Sequence, residues 1–233
     1  MLPDIEKDLQ NSRGDVVYST VKAGLSSIPL AGSAISEFFS LIVSQPVSKR
    51  RDEWLIRIKN ALEELSEKVE GFDLSNLCNN EEFTTVLMNA SQMAIRNHNE
   101  IKLEALKNAV LNSAIRTNLD DTIQFMYLNY ISELTSWHIQ ILDLFRNPTN
   151  WFIKNNKNKP SYYSGAPAHM LEDAFNELKG KKEFYNLIIK DLYNKGLLNI
   201  ESLHTMMTEN GIFASRTTQF GNEFINYISS PII

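Results

Sequence analysis

At 233 residues the chain is long enough for one large domain, or for a helical domain with a small satellite, and its 43% hydrophobic content is that of a globular protein. The balance of 23 basic against 28 acidic residues, net −5, excludes a nucleic-acid binder that relies on overall positive charge. One cysteine, Cys78, excludes an internal disulfide, and the absence of a Cys/His cage pattern gives no metal site and no cofactor to expect.

The chain opens on Met1–Gly14, where Asp4, Glu6, Lys7, Asp8 and Arg13 interrupt any apolar core, so no signal peptide is expected and the predicted location is cytoplasmic, with or without membrane association. Val16–Val43 (VVYSTVKAGLSSIPLAGSAISEFFSLIV) then carries only Lys22 and Glu37 as charges. A spanning helix needs about 20 predominantly apolar residues. Pro29 is expected to divide this segment into two shorter helices, which argues against a permanent span. Gly32, Ser36, Ser40 and Ser44 recur every four residues, with Phe38 and Phe39 supplying bulk beside them. Such a small-residue face admits a second helix closely, in a membrane or in a soluble bundle. Lys49-Arg50-Arg51 follows as a basic group suited to an anionic surface, although Asp52 and Glu53 come next and read equally as partners in a salt-bridged helix start.

From Arg51 the apolar spacing is helical. Trp54, Ile58, Leu62, Leu65 and Val69 share one stripe, with Gly71 placed to close the helix. Asn79 or Asn80 should cap a second helix whose buried stripe is Phe83, Val86, Leu87, Ala90, Met93 and Ala94. The polar island Arg96–Lys102 reads as a junction, and the stripe Leu103, Leu106, Val110 and Ala114 continues beyond it, in the same bent helix or in another. Glu100-Ile101-Lys102 matches the E-x-K fragment of metal-dependent nucleases, but a helical setting makes the match accidental.

Asp120–Phe145 reads as one long central helix carrying Ile123, Met126, Tyr130, Leu134, Trp137, Ile141 and Leu144. Asn147–Pro167, with three prolines, reads as a linker whose Trp151, Phe152, Tyr162 and Tyr163 pack on something. Beyond it, Phe184, Leu187, Ile188 and Leu192 give an amphipathic helix ending at Lys195-Gly196, Ser202–Met207 a short helix, Ile212–Ala214 a strand, and Thr218 the cap of a last helix burying Phe220, Phe224, Tyr227 and Ile228. The four histidines His98, His138, His169 and His204 have no i,i+4 partner, and no nucleophile elbow or phosphate-binding glycine loop occurs. A pocket of His138, Trp137 and Tyr130 is the one enzymatic arrangement to imagine, and it specifies no reaction.

The order SSIPLAGSAISEFF, QPVSKRRDEW, RNHNEIKLEALKNAVLN and DLYNKGLLN…TTQFGNEFINYI resembles a group of uncharacterised bacterial helical proteins. The closing T-x-x-G-x-x-F of Thr218, Gly221 and Phe224 resembles the last helix of winged-helix domains. An apolar, glycine-containing N-terminal helix on a bundle is similar in architecture to membrane-acting cell-death domains, which implies a role in bacterial stress or phage defence.

The expected fold is therefore mainly α: an N-terminal helical bundle over 1–146, a linker or packed loop over 147–167, and a small C-terminal winged-helix-like domain over 168–233. The expected function is a non-enzymatic helical module. Gly32, Ser36, Ser40, Ser44, Phe38, Phe39, Lys49, Arg50 and Arg51 would form its surface for a protein partner, for self-association or for a peripheral anionic membrane. The alternative is a nucleic-acid-binding regulator using the C-terminal unit. It is disfavoured because the expected recognition helix, SLHTMM, has neither Arg nor Lys.

Overall fold

A computed structural model describes residues 33–72, 74–77, 79–115 and 119–232, with side chains from Val47 onward except Ser75. Lys22, Pro29, Gly32 and Cys78 lie outside the described residues, as does the expected division of Val16–Val43 at Pro29. The protein is mainly helical, and the described residues form two compact units. One runs to Gln124 and includes Ile232; the other covers Phe125–Pro231.

In the first unit, α1 (Ser33–Lys68) is followed by the single turn α2 (Leu74–Leu77), α3 (Glu81–Ile95) and α4 (Glu100–Ile115). Trp54, Ile58, Ala61, Leu62 and Leu65 are the buried face of α1, which packs on α3 and α4. Trp54 is pinned further by its indole N–H, which donates to Ser91 Oγ at 2.9 Å. Beyond Lys68 the chain turns, and Gly71 takes φ +78°, the left-handed backbone that favours glycine after a helix. Asn80 caps α3 through its side chain, which accepts from the Phe83 N–H at 2.9 Å.

The polar island separates two helices. Arg96 is the C-cap of α3, and Asn99 Oδ1 accepts from the Lys102 N–H at 3.3 Å as α4 begins. Burial on several sides, expected of the Asp120–Phe145 segment, is met in α4, where Ala105, Leu106, Asn108, Ala109, Val110, Leu111, Asn112, Ser113 and Ala114 are all buried. From Asn108 to Ala114 every residue is buried, so the polar stripe of Glu100, Glu104 and Lys107 is confined to the first half of α4.

The expected long helix is two. α5 (Asp121–Glu133) ends before Leu134, and α6 (Ser136–Arg146) starts after Thr135. The break is local: Thr135 is extended at φ −79° and ψ 168°, and it exchanges capping bonds with His138. A heptad-like apolar spacing runs through the break, but α5 buries Tyr127, Leu128 and Ile131 rather than the expected Ile123, Met126 and Tyr130. Met126 and Phe125 are nevertheless exposed, while Leu134, Ile141 and Leu144 are buried.

Residues 125–146, expected in the N-terminal bundle, belong to the second unit: α6 packs with α9 (Lys182–Asn194) and α11 (Gln219–Ile228). The expected linker is also largely structured. Asn147 caps α7 (Pro148–Lys154), accepting from the Asn150 N–H at 3.1 Å, and Pro148 occupies the first helical position, where its missing N–H costs nothing. Trp151 and Phe152 are buried, whereas Tyr163 is fully exposed. Strand β1 (Ser164–Gly165) then leads into α8 (Pro167–Ala174), a short 3-10 turn at Asn176–Leu178 and α9.

Two further expectations fail here. Ser202–Met207 is not helical; the chain is irregular until β2 (Met207–Thr208), and the short helix is α10 (Glu209–Ile212), which runs through Asn210-Gly211. Ile212–Ala214 is accordingly not a strand. In place of a wing hairpin, β2 pairs antiparallel with the distant β1, Ser164 opposite Thr208 and Gly165 opposite Met207. A single bridge joins Leu198 to Thr217.

The closing motif has a direct physical account. Thr218 caps α11, accepting from the Gly221 N–H at 2.8 Å and donating its hydroxyl to Gly196 O at 2.6 Å. Gly221 lets α11 approach the Leu197 backbone, and Phe224 stacks at 5.4 Å from Tyr127 and 5.9 Å from Tyr130 on α5. Cap, close approach and aromatic core thus fall three residues apart on one face.

Candidate interaction surface

α1 is 36 residues long, while its partners α3 and α4 have 15 and 16. At 1.5 Å per residue that is about 54 Å against about 24 Å, so α1 is more than twice as long as either partner. The side chains of α1 are described from Val47 onward. No residue from Val47 to Glu53 is buried, and the core stripe begins at Trp54, 3% exposed. These seven residues form a polar collar nearly two turns long.

Lys49-Arg50-Arg51 lies within this collar, in the interior of α1 rather than at a helix start. The helix runs through the triplet and through Pro46, whose ring nitrogen has no N–H to donate. Lys49 Nζ lies 3.7 Å from Glu53 Oε1, one turn on, and Arg51 Nη2 lies 3.2 Å from Asp52 Oδ1. Arg50 is exposed and in no ion pair among the described residues. Exposed pairs of this kind contribute roughly 0–1 kcal/mol, so the collar is solvated rather than a source of stability.

On the far side of the collar the α1 backbone carries Ser36, Ser40 and Ser44 at helical four-residue spacing, hence on one face, with Phe38 and Phe39 on the same segment. Gly32, the first member of that series, lies outside the described residues.

The remaining sequence candidates are scattered. Glu100 begins α4 and binds Arg57 at 2.9 Å, an inter-helix ion pair rather than a metal ligand. Asp120 is the cap of α5, accepting from the Thr122 N–H at 2.8 Å and the Ile123 N–H at 3.3 Å; its bonds with Thr122, and then with Ile123, hold its carboxyl below the usual range. Among the described residues no group of three His, Asp, Glu or Cys is arranged to hold a metal ion.

His98 and His169 are exposed. His204 sits with Nε2 2.8 Å from Asn186 Oδ1, and burial, then Lys182, lower its pKa. Arg216, the one basic residue near the expected wing, is spent internally: Nη2 donates to Gly211 O at 2.6 Å and the backbone N–H to Phe145 O at 2.8 Å. It is not presented to a phosphate.

A polar cluster not read from the sequence lies in the second unit. His138 Nδ1 accepts from the Thr135 N–H at 3.2 Å and is 2.8 Å from Thr135 Oγ1, while Nε2 is 3.3 Å from Asp191 Oδ2 on α9. Lys195 Nζ reaches Glu133 Oε2 at 2.7 Å and Asp191 Oδ1 at 3.7 Å, and the Lys195 carbonyl accepts from Tyr130 OH at 3.1 Å. The Thr135–His138–Asp191 line has the distances of an activated hydroxyl. It is also the capping box of α6 with histidine in the place of glutamate, and the cluster ties α5, α6 and α9 together. No spacing rule in the sequence links Thr135 and His138 to Asp191, so only the fold could reveal it.

No protein-family model, curated protein or solved structure matches the chain. Among the described residues no helix is long and apolar enough to cross a membrane.

Proposed function

We propose that this protein is a non-enzymatic helical interaction module, in which the apolar N-terminal half of α1 is the element that engages a partner. The observation behind the reading is the polar collar Val47–Glu53, exposed or half-buried throughout, which separates that half from the Trp54–Leu65 core. Apolar surface that this segment buries against a partner is worth about 25 cal/mol per Å². The serine series Ser36, Ser40, Ser44 gives that part a face that another helix can approach closely, and Phe38 and Phe39 give it apolar bulk. A helical face on a protein partner is the occupant favoured by this geometry. An anionic lipid surface, met by Arg50 of the collar, is the competing occupant.

The test is removal of Val16–Val43. Complex formation with a captured partner, or flotation with anionic vesicles, should be lost while the helical content of the remaining chain persists. Binding unchanged by the deletion overturns the reading.

A further inference from the structure

The sequence pattern assigns Phe184 and Leu187 to the buried stripe of α9, and this assignment is wrong. The buried side chains are Tyr185, Ile188, Ile189 and Leu192, while Phe184 is 43% and Leu187 70% exposed. At 3.6 residues per turn Leu187 stands nearly opposite the buried face, with Glu183, Lys190 and Asn194 around it, all exposed. Neither the Glu183 nor the Lys190 side chain takes part in an ion pair or hydrogen bond among the described residues. By contrast, the neighbouring Asp191 is engaged by His138 and Lys195.

We propose that this face of α9 is a self-association surface, on which α9 of a second copy docks antiparallel about a two-fold axis passing near Leu187. The charge order carries the choice of occupant. Glu183 lies four residues before Leu187 and Lys190 three after it. In an antiparallel pair centred on Leu187, Glu183 of each copy therefore meets Lys190 of the other, and Leu187 meets Leu187 with Phe184 beside it. A two-fold contact is made twice, so one acid and one base on a single helix satisfy each other fully. A parallel pair would set Glu183 against Glu183 and Lys190 against Lys190, which like-charge repulsion disfavours. This surface is separate from the α1 segment and does not depend on the reading of it.

α9 has 13 residues. One helix pair of about 20 Å buries less than the roughly 1,200 Å² of a standard stable interface, so the dimer is weak and forms in the micromolar range or above.

The experiment is sedimentation equilibrium of the full chain over a wide concentration range, with circular dichroism confirming that each variant is folded. Leu187→Glu should weaken dimerisation at least about tenfold. Glu183→Lys and Lys190→Glu should each weaken it, because each sets like charges face to face. The double variant Glu183→Lys/Lys190→Glu restores opposite charges and should recover most of the affinity. A monomer at all concentrations overturns the proposal. So does association untouched by Leu187→Glu, or a double variant weaker than both singles. Association lost on changing Phe38 and Phe39 but kept in Leu187→Glu belongs to α1, and overturns this proposal while supporting the earlier one.

Discussion

A methyl group placed on the α-carbon of Gly221 would lie 2.2 Å from the carbonyl oxygen of Leu197. That carbonyl also accepts the backbone N–H of Thr218 at 3.1 Å, so it is fixed from the same helix that approaches it. Gly221→Ala should therefore destabilise the second unit, although alanine is the better helix former by about 1 kcal/mol. Overpacking against backbone costs about 1–3 kcal/mol or more, and backbone cannot move aside as a flexible side chain can. A denaturant titration followed by far-UV circular dichroism should show a lower midpoint. An unchanged or raised midpoint would mean that α11 is less closely seated than described.

Ser91 is the acceptor for the buried indole of Trp54. Removing it in Ser91→Ala leaves that N–H without its bond in a site where Trp54 is 3% exposed. The expected loss is about 1–3 kcal/mol in the first unit. Trp54→Ala should cost more, about 3–5 kcal/mol, since it also opens a cavity against α3. Equilibrium unfolding of the two variants should rank them in that order.

Tyr185 predicts a response to alkali. Burial, then the hydrogen bond from its hydroxyl to Glu172 Oε1 at 3.0 Å, push its pKa up to about 12. Because the folded chain favours the neutral phenol, this contribution is fully present below the unfolded value of about 10. It is lost as pH rises through about 12. Tyr162, raised by burial and by its bond to Asp173, acts in the same direction. Thermal stability should fall between these two pH values, and Tyr185→Phe should make the fall shallower. An identical fall in the variant would refute the assignment to Tyr185.

The parts of the fold legible in the sequence are those set by local chemistry. Asn80, Gly71 and Thr218 mark their helix ends through a side-chain acceptor or a left-handed backbone, and each acts within a few residues. The Trp54–Leu65 stripe is legible because α1 has one buried face. Misreadings arise where a longer-range fact decides. Apolar periodicity passes through Thr135 unbroken, and only the extended backbone there separates α5 from α6. On α9 the apolar residues Phe184 and Leu187 lie to one side of the buried Tyr185, Ile188, Ile189 and Leu192, and spacing alone does not say where the buried stripe ends. The irregular Ser202–Met206 is held by tertiary bonds such as the Ala168 N–H to Leu203 O at 3.1 Å, which leave no local trace. The collar of α1 was visible as a charged run after an apolar one. Its position inside a continuous helix is not legible, because a charged run followed by Asp52 and Glu53 reads equally as a helix start.

The most direct test of the central claim is a paired measurement of mass by light scattering and flotation with anionic vesicles. It compares the full chain with its Phe38→Asp/Phe39→Asp variant, both carrying Leu187→Glu so that association through α9 is removed from the comparison. The account predicts that the full chain associates with itself or floats, that the variant loses that behaviour, and that its helical content is retained. A full chain that neither associates nor floats, or a variant that behaves identically, would contradict the claim that the N-terminal half of α1 is the interacting element.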